Sequence, residues 1–410
     1  MARVLLLLPS GTYKAPDFLA AAARLGVEVV VASETEQTLA GPMGDRALVV
    51  DLADPAGSAA SITSLAARRA LDAVIAVDDQ GVLIAALAAE KLGLPANPPD
   101  AVARTRDKAA MRTALAAATA SHVRQPAFRV VHPGDDVREA AEAVGWPVVV
   151  KPVSLSASRG VIRADDPAGV EAAEARIRGI LDGDGHPPDE PLLVEQFVAG
   201  GEVAVEGLLR GGRLEVLAVF DKPDPLTGPY FEETLYVTPS RLPAATQEGI
   251  AAAVGDAAAA IGLTEGPVHA ELRIDPEGRP WILELAARTI GGLCARTLRF
   301  AAGVTLEELV LRHALGLPLD PRRETIAAGV MMLPIPTAGR LVAVHGQEEA
   351  RAVPGISALE LSIRPGGTVV PLPEGDRYLG FLFARGPSPA DVETALRAAH
   401  AHLDVEIAPD

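Results

Sequence analysis

Cysteine is nearly missing from this sequence: Cys294 stands alone among 410 residues. A single cysteine cannot form an intramolecular disulfide, which fits a reducing compartment. Its plainest reading is a small packed hydrophobe, not a nucleophile. Aromatic residues make up only 3%, so stacking platforms for single-stranded nucleic acid are scarce. Positive charge is in deficit, with 37 Lys and Arg against 54 Asp and Glu and a net charge of −17. That argues against nucleic-acid and anionic-membrane partners, yet leaves room for a small anionic ligand held by local charges. Long apolar runs are also wanting. The opening stretch, residues 3–8, is too short for a signal peptide and reads as a buried first strand. No run reaches the length of a membrane span, and no Walker-type glycine-lysine loop or clear internal repeat is seen. A cytoplasmic protein is expected.

What is present argues for an ordered chain. Hydrophobic content is 49%, too high for disorder, and 410 residues suffice for two or three domains. Strands at 3–8, 27–32, 47–51 and 73–77 alternate with helices reaching Arg24 and spanning about 81–92. This pattern predicts a parallel sheet covered by helices. Asp78-Asp79-Gln80 follows a strand's carboxyl end, where such sheets place ligands, although Asp79 serves equally well as a helix N-cap. A boundary falls near residues 95–99, and a helix opens near Asp107-Lys108. Strands are expected at 145–151, 192–198 and 202–209. The segment 221–229 reads as a long loop able to close over a site. A break lies near 317–321, and the chain is expected to end in a helix near 389–402.

The most informative stretch is a hairpin. His269-Ala-Glu-Leu-Arg-Ile274 and Trp281-Ile-Leu-Glu-Leu-Ala-Ala-Arg288 flank a turn punctuated by Pro276 and Gly278. A two-residue loop at Glu277-Gly278 sets Glu271 opposite Glu284. Facing carboxylates lie about 5 Å apart and repel unless something neutralises them. Mg²⁺ would do so, since hard cations choose carboxylate oxygens. A three-residue loop with a bulge would instead put the two Glu on opposite faces. A solvated acidic pair on a surface hairpin is the plainer alternative. Alternation keeps Glu284, Ala286 and Arg288 on one face.

Elsewhere, Lys151 ends an apolar strand that Pro152 stops. The loop Ser154-Leu-Ser-Ala-Ser-Arg-Gly160 follows, and its small residues let backbone N–H groups approach phosphate oxygens. A lysine there would act on phosphates as a point charge. Glu195-Gln-Phe-Val198 could offer a backbone edge to adenine, with a plain edge strand as the simpler reading.

Taken in order, Asp107-Lys108-x-x-Met111-Arg112, Val150-Lys151-Pro152 with Ser158-Arg-Gly-Val161, Val194-Glu195-Gln-Phe-Val198, His269-x-Glu271, and Glu284-x-Ala-Ala-Arg288-x-x-Gly291 resemble the ATP-grasp superfamily. The resemblance covers about residues 1–320 and is closest to L-amino-acid (dipeptide) ligases and related carboxylate–amine ligases. Residues 331–336 and 378–385 also look like the tail of those ligases. It implies a mixed α/β and α+β fold with three parts. These are an N-terminal Rossmann-like (pre-ATP-grasp) domain at 1–105, an ATP-grasp core at 106–318 with a lid at about 125–200, and a smaller C-terminal α/β domain at 319–410.

The resemblance further implies ATP and Mg²⁺ as cofactors, with Mn²⁺ as an alternative. Lys108 and Lys151 would contact phosphates under a mobile loop carrying Ser156, Ser158 and Gly160. Glu195, Phe197 and Val198 would hold adenine, with Glu202 near the ribose. Glu271 and Glu284 would bind the metal. Arg288 would stabilise the transferring phosphoryl group or acyl phosphate, with Lys151 beside it as a catalytic cation. His269, Glu233, Arg288, Gly291 and Gly292 would face the small-molecule carboxylate and amine substrates. Glu233 is the candidate for an ammonium group, or else a solvated loop acid. Gly291-Gly292 either leaves room for a sizeable substrate side chain or only permits a turn.

Two departures stand out: Ala286 replaces the Asn that many members carry, and the phosphate loop is poor in glycine. The implied activity is ATP-dependent amide formation through an acyl phosphate, with a homodimer as one assembly. A bicarbonate-activating carboxylase relative and a catalytically weak ATP-binding regulator are the alternatives.

Overall fold

The computed structural model describes residues 1–36, 44–119 and 122–409. Its N-terminal portion is a parallel sheet in the order Ala47–Val49, Glu28–Ser33, Arg3–Leu7, Ala73–Ala76. Every residue of Arg3–Leu7 is buried because the strand is central and helices cover both faces. Leu5 and Leu7 pack in one apolar cluster with Ile62 and Ile84. Val4 and Leu6 pack in another with Phe18, Val310 and Leu311. Those last two belong to the distant helix Leu306–Ala314, which ties this sheet to the middle of the chain. Asp79 is not an N-cap: Gly81 occupies that position of the helix Val82–Leu92, and Asp79 lies in a preceding 3₁₀ turn.

A second sheet is antiparallel, in the order Phe128–Val131, Leu192–Gln196, Val148–Pro152, Ile162–Ala164. The helices Val137–Val144 and Pro167–Gly183 cover it. Leu192–Gln196 is therefore a central strand, and Glu195 offers no open backbone edge. The edge reading rested on a local pattern, whereas the pairing of Glu195 with both Phe128 and Val149 is set by distant segments.

The third sheet has eight strands: Pro280–Ala286, Gly266–Ile274, Gly201–Arg210, Arg213–Lys222, Leu235–Thr238, Ala327–Leu333, Gly380–Gly386 and Ile356–Leu361. It runs without interruption across residue 318. Helix Ala244–Ile261 packs on one part of it. Helix Pro389–His400 covers the other. The chain does not end in that helix; a last strand, Asp404–Ala408, pairs with Gly339–His345.

The hairpin departs from expectation in an instructive way. Its turn is one residue longer than a two-residue loop, since Asp275 N–H donates to the Arg279 carbonyl at 3.1 Å. Asp275 builds this turn: its carboxylate accepts from the N–H of Glu277 and Arg279 and from the Trp281 indole. Gly278 sits at φ +79°, where a side chain would be strained. The register is thus shifted by one at Leu272–Ile282. A bulge at Leu283 then shifts it back, and Glu271 pairs with Glu284 after all. Arg112, fully buried, caps the bulge by donating to the carbonyls of Ile282 at 3.0 Å and Leu283 at 2.7 Å.

Candidate functional site

One cavity of about 570 Å³ lies where the three sheets meet. It is lined by Lys108, Lys151, Glu271, Glu284 and Arg288 together, and by every other expected site residue except Gly160.

On the lid side, Lys151, next to last in its strand, holds its ammonium 2.6 Å from Glu195. Glu195 also meets Arg112 at 2.5 Å. Burial pushes the Glu195 carboxyl up, but the two cations overcome this and bring it down to about 2. Burial, with Arg112 nearby, lowers the Lys151 ammonium against the pull of Glu195. The Glu195 carboxylate is therefore engaged by Lys151, which it orients, and by Arg112. Lys108 opens the helix Lys108–Ala116, whose N-cap Asp107 accepts from Ala109 and Ala110 N–H. A lysine at a helix N-terminus opposes the helix dipole. Here it is held by the Leu155 carbonyl at 2.6 Å and lies 3.6 Å from Glu284.

Ser156 and Ser158 line the cavity, but Gly160 does not. Its N–H donates to the Pro373 carbonyl at 3.0 Å, and it packs against Pro152 at a positive φ. Gly160 is thus the one expected site residue that the structure places away from the cavity. Phe197 and Val198 face the cavity just beyond the strand. The Phe197 ring is flanked by the guanidiniums of Arg163 and Arg273, at 4.3 and 4.8 Å.

The opposite wall is acidic. Glu202, Glu233 and Glu271 offer carboxylate oxygens within 4.8 Å of one another. The Lys222 ammonium sits among them, 2.7 Å from Glu202, 3.4 Å from Glu271 and in contact with Glu233. Burial lowers the Lys222 ammonium, but the three acids raise it well above its usual value. Burial and the Glu271 charge raise Glu233 to about 7. Burial works against ionised Glu271 too, yet Lys222 and His269 bring it well below the ordinary range. Glu233 pairs with the protein's own Lys222, so it is neither a solvated loop acid nor an unengaged carboxylate. Glu202 is likewise engaged, by Lys222 and by Arg273 at 3.2 Å. His269 lines the cavity, but both ring nitrogens face carboxylates, Glu206 at 2.7 Å and Glu271 at 3.5 Å. It supports Glu271 more directly than it could touch a substrate.

Arg288 meets Asp79 at 2.8 Å, so the N-terminal sheet supplies its partner. Arg106 lies 3.4 Å from the same carboxylate. Burial works against ionised Asp79, and these two guanidiniums outweigh it, holding the group below its usual range. The glycine pair divides. Gly291 has open space where a side chain would project, whereas at Gly292, with φ +56°, a Cβ would lie 2.9 Å from Phe381. Gly292 is there for the turn and for packing. Cys294 is buried, and burial raises its thiol far above the usual value, as befits a packed hydrophobe.

Lys222 escaped notice in the sequence, and although Asp79 and Arg112 were singled out there, their roles as partners of Arg288 and Glu195 were not. Lys222 had a signal: Lys222-Pro223 ends an apolar strand, as Lys151-Pro152 does.

Residues 144–297 match the ATP-grasp domain, 19–96 the ATP-grasp N-terminal domain, and 331–408 the L-amino acid ligase C-terminal domain 2. The crystal structure of L-amino acid ligase from Bacillus licheniformis superposes with a TM-score of 0.81 at 26% identity, covering 100% of this chain and 99% of that one. A D-alanine–D-alanine ligase from Gloeobacter violaceus is 31% identical over 237 residues, 54% of this chain and 72% of the relative. Alanine–anticapsin ligase from Bacillus subtilis is 27% identical over 256 residues, 58% of this chain and 53% of the relative. The fold is the ATP-grasp fold, with an N-terminal and a C-terminal extension. The chain belongs to the ATP-grasp carboxylate–amine ligase family. It spans about half the length of the curated Bacillus relatives, 53% and 55%. Among the described residues no helix is long and apolar enough to cross a membrane.

Proposed function

We propose that the protein joins a carboxylate to an amine at the expense of ATP, releasing ADP and phosphate, with an amino acid as one substrate. The supporting observation is the convergence of Lys108, Lys151, Glu271, Glu284 and Arg288 on one cavity. The division at residues 105/106 and 318/319 goes with this reading, the second falling in a connection between strands of a shared sheet.

A carboxylate is a poor acyl donor because its leaving group is oxide. Transfer of the terminal phosphoryl group of ATP gives an acyl phosphate with a good leaving group. Lys151 and Lys108 neutralise and position the phosphates, and Arg288 faces the transferring group. The amine then attacks, the amide forms and phosphate leaves. Glu271 and Glu284 fit a divalent cation: they pair across the hairpin, line the same cavity, and each has a lysine only at 3.4 to 3.6 Å. Bound there, Mg²⁺ supplies charge neutralisation for the polyphosphate. Open space beside Gly291 suits a sizeable substrate side chain.

The test is ADP and phosphate release with Mg²⁺–ATP across pairs of L-amino acids and amines, with Glu284→Ala as control. Release that needs both partners, yields an amide by mass spectrometry and disappears in the control is the expected result. Release with bicarbonate alone points to a carboxylase. ATP binding with no release in any well points to a regulator.

A further inference from the structure

Residues 371–378 touch both the lid and the cavity. The first half grips the lid at three places. Pro373 accepts from the Gly160 N–H at 3.0 Å. The Glu374 carbonyl accepts from Arg159 Nε at 2.9 Å. The Glu374 carboxylate takes the fork of Arg176, at 2.6 and 3.0 Å, an arrangement that fixes direction as well as distance. The Arg176 guanidinium also lies 5.0 Å over the Tyr230 ring, which brings in the 223–234 loop. The second half, Asp376, Arg377 and Tyr378, lines the cavity. A tight turn joins the halves: Gly375 N–H donates to Pro371 at 2.9 Å, and a Cβ on Gly375 would stand 2.0 Å from the Val370 carbonyl. Grip and lining therefore move as one piece.

The lid loop needs holding. Ala157 and Ser158 both sit at φ +57°, a left-handed conformation that non-glycine residues resist. Neither can hold the loop there unaided.

We propose that Glu374 is a positioning residue: through Arg176 and Arg159 it holds the phosphate loop shut over the cavity, so that the amine rather than water meets the acyl phosphate. This rests on the ligase reading above. In the leak that Glu374 prevents, a water oxygen bonds to the acyl carbon and the carbon–oxygen bond to phosphate breaks. Phosphate leaves with the electron pair, and the water's protons pass to solvent and phosphate. The carboxylate returns unchanged and one ATP is lost.

The experiment measures ADP and amide in the same wells for the full chain, its Glu374→Gln variant and the charge-swapped pair Arg176→Glu with Glu374→Arg. Arg138→Gln, at an exposed position on the lid helix Val137–Val144, is the control. Arg176 and Glu374 are both partly exposed, so losing the pair opens the loop about two- to fivefold more often. The ADP-to-amide ratio should rise in Glu374→Gln, its excess over one growing by that factor, with little change in the rate of ADP release, and fall back in the swapped pair. An unchanged ratio overturns the proposal. Trypsin cleavage after Arg159 gives a readout independent of chemistry: it should quicken by a similar factor in Glu374→Gln and recover in the swapped pair. If the unaltered protein releases no ADP from any pair, the ligase reading fails. Cleavage then decides the latch alone, and equal rates in the unaltered protein and the variant overturn it.

Discussion

The two walls of the cavity carry opposite charge. On one side, Lys151 and Lys108 line the cavity with the fully buried Arg112 behind them, and these three cations meet two acids, Glu195 and Glu284. On the sheet wall, Glu202, Glu233 and Glu271 surround Lys222, leaving anions in excess. The pKa shifts report the same asymmetry. Glu195 is driven down to about 2 by its two cations, whereas Glu233 is raised to about 7 by burial and a neighbouring carboxylate. A chain of net charge −17 thus builds a locally cationic and a locally anionic surface around one cavity. Local surplus, not global charge, decides what each wall takes.

The largest expected effect comes from removing the one ammonium of the acidic wall. Lys222→Met leaves three carboxylates, one buried and two half-buried, facing one another without their shared cation, and should lower stability by about 3–5 kcal/mol, read by chemical denaturation. A stability close to the unaltered protein would mean that the acids relax by binding protons or a metal. On the other wall, Lys151→Met should cut ADP release about 10²- to 10³-fold, as losing a group aimed at developing charge does. A fall of only a few-fold would place the phosphates elsewhere.

Glu195→Gln addresses the basic wall through pH. The folded carboxyl lies at about 2 against an ordinary 4.5. Its contribution is therefore complete above about pH 4.5 and lost as pH falls toward 2. The linkage is worth about 3 kcal/mol at neutral pH. Unfolding measured at pH 7, 4 and 3 should show the variant's deficit shrinking with acid. A deficit constant with pH would assign the loss to packing. The smallest effect is at the seam between sheets. Asp79→Asn keeps a hydrogen bond to Arg288 but removes the charge, and kcat should fall about tenfold with less change in KM for ATP. A change confined to KM would give Asp79 a binding role instead.

Much of the molecule was readable from its sequence where the signal was periodic and local. The parallel strands at 3–7, 28–33 and 73–76, the lid strands and the hairpin all carry apolar patterns bounded by turn residues. What escaped depends on partners far along the chain. Nothing near Glu195 says that Phe128 and Val149 flank it, nor that its carboxylate belongs to Arg112 and Lys151. The Glu271–Glu284 pairing was right for an incomplete reason: two one-residue departures, a longer turn and a bulge held by Arg112, offset each other. Gly160 looked like a phosphate-binding glycine, and only the fold shows its N–H committed to Pro373.

The uninterrupted eight-stranded sheet also governs how the chain can be divided in the laboratory. A fragment ending near residue 318 would strip Ala327–Leu333 from Leu235–Thr238, a strand whose four residues are all buried. That would bare a row of unpaired backbone groups beside apolar side chains, an invitation to recruit the same strand from another copy. The catalytic half is therefore not an independent module, and shortened versions are expected to precipitate or associate instead of retaining a smaller working core.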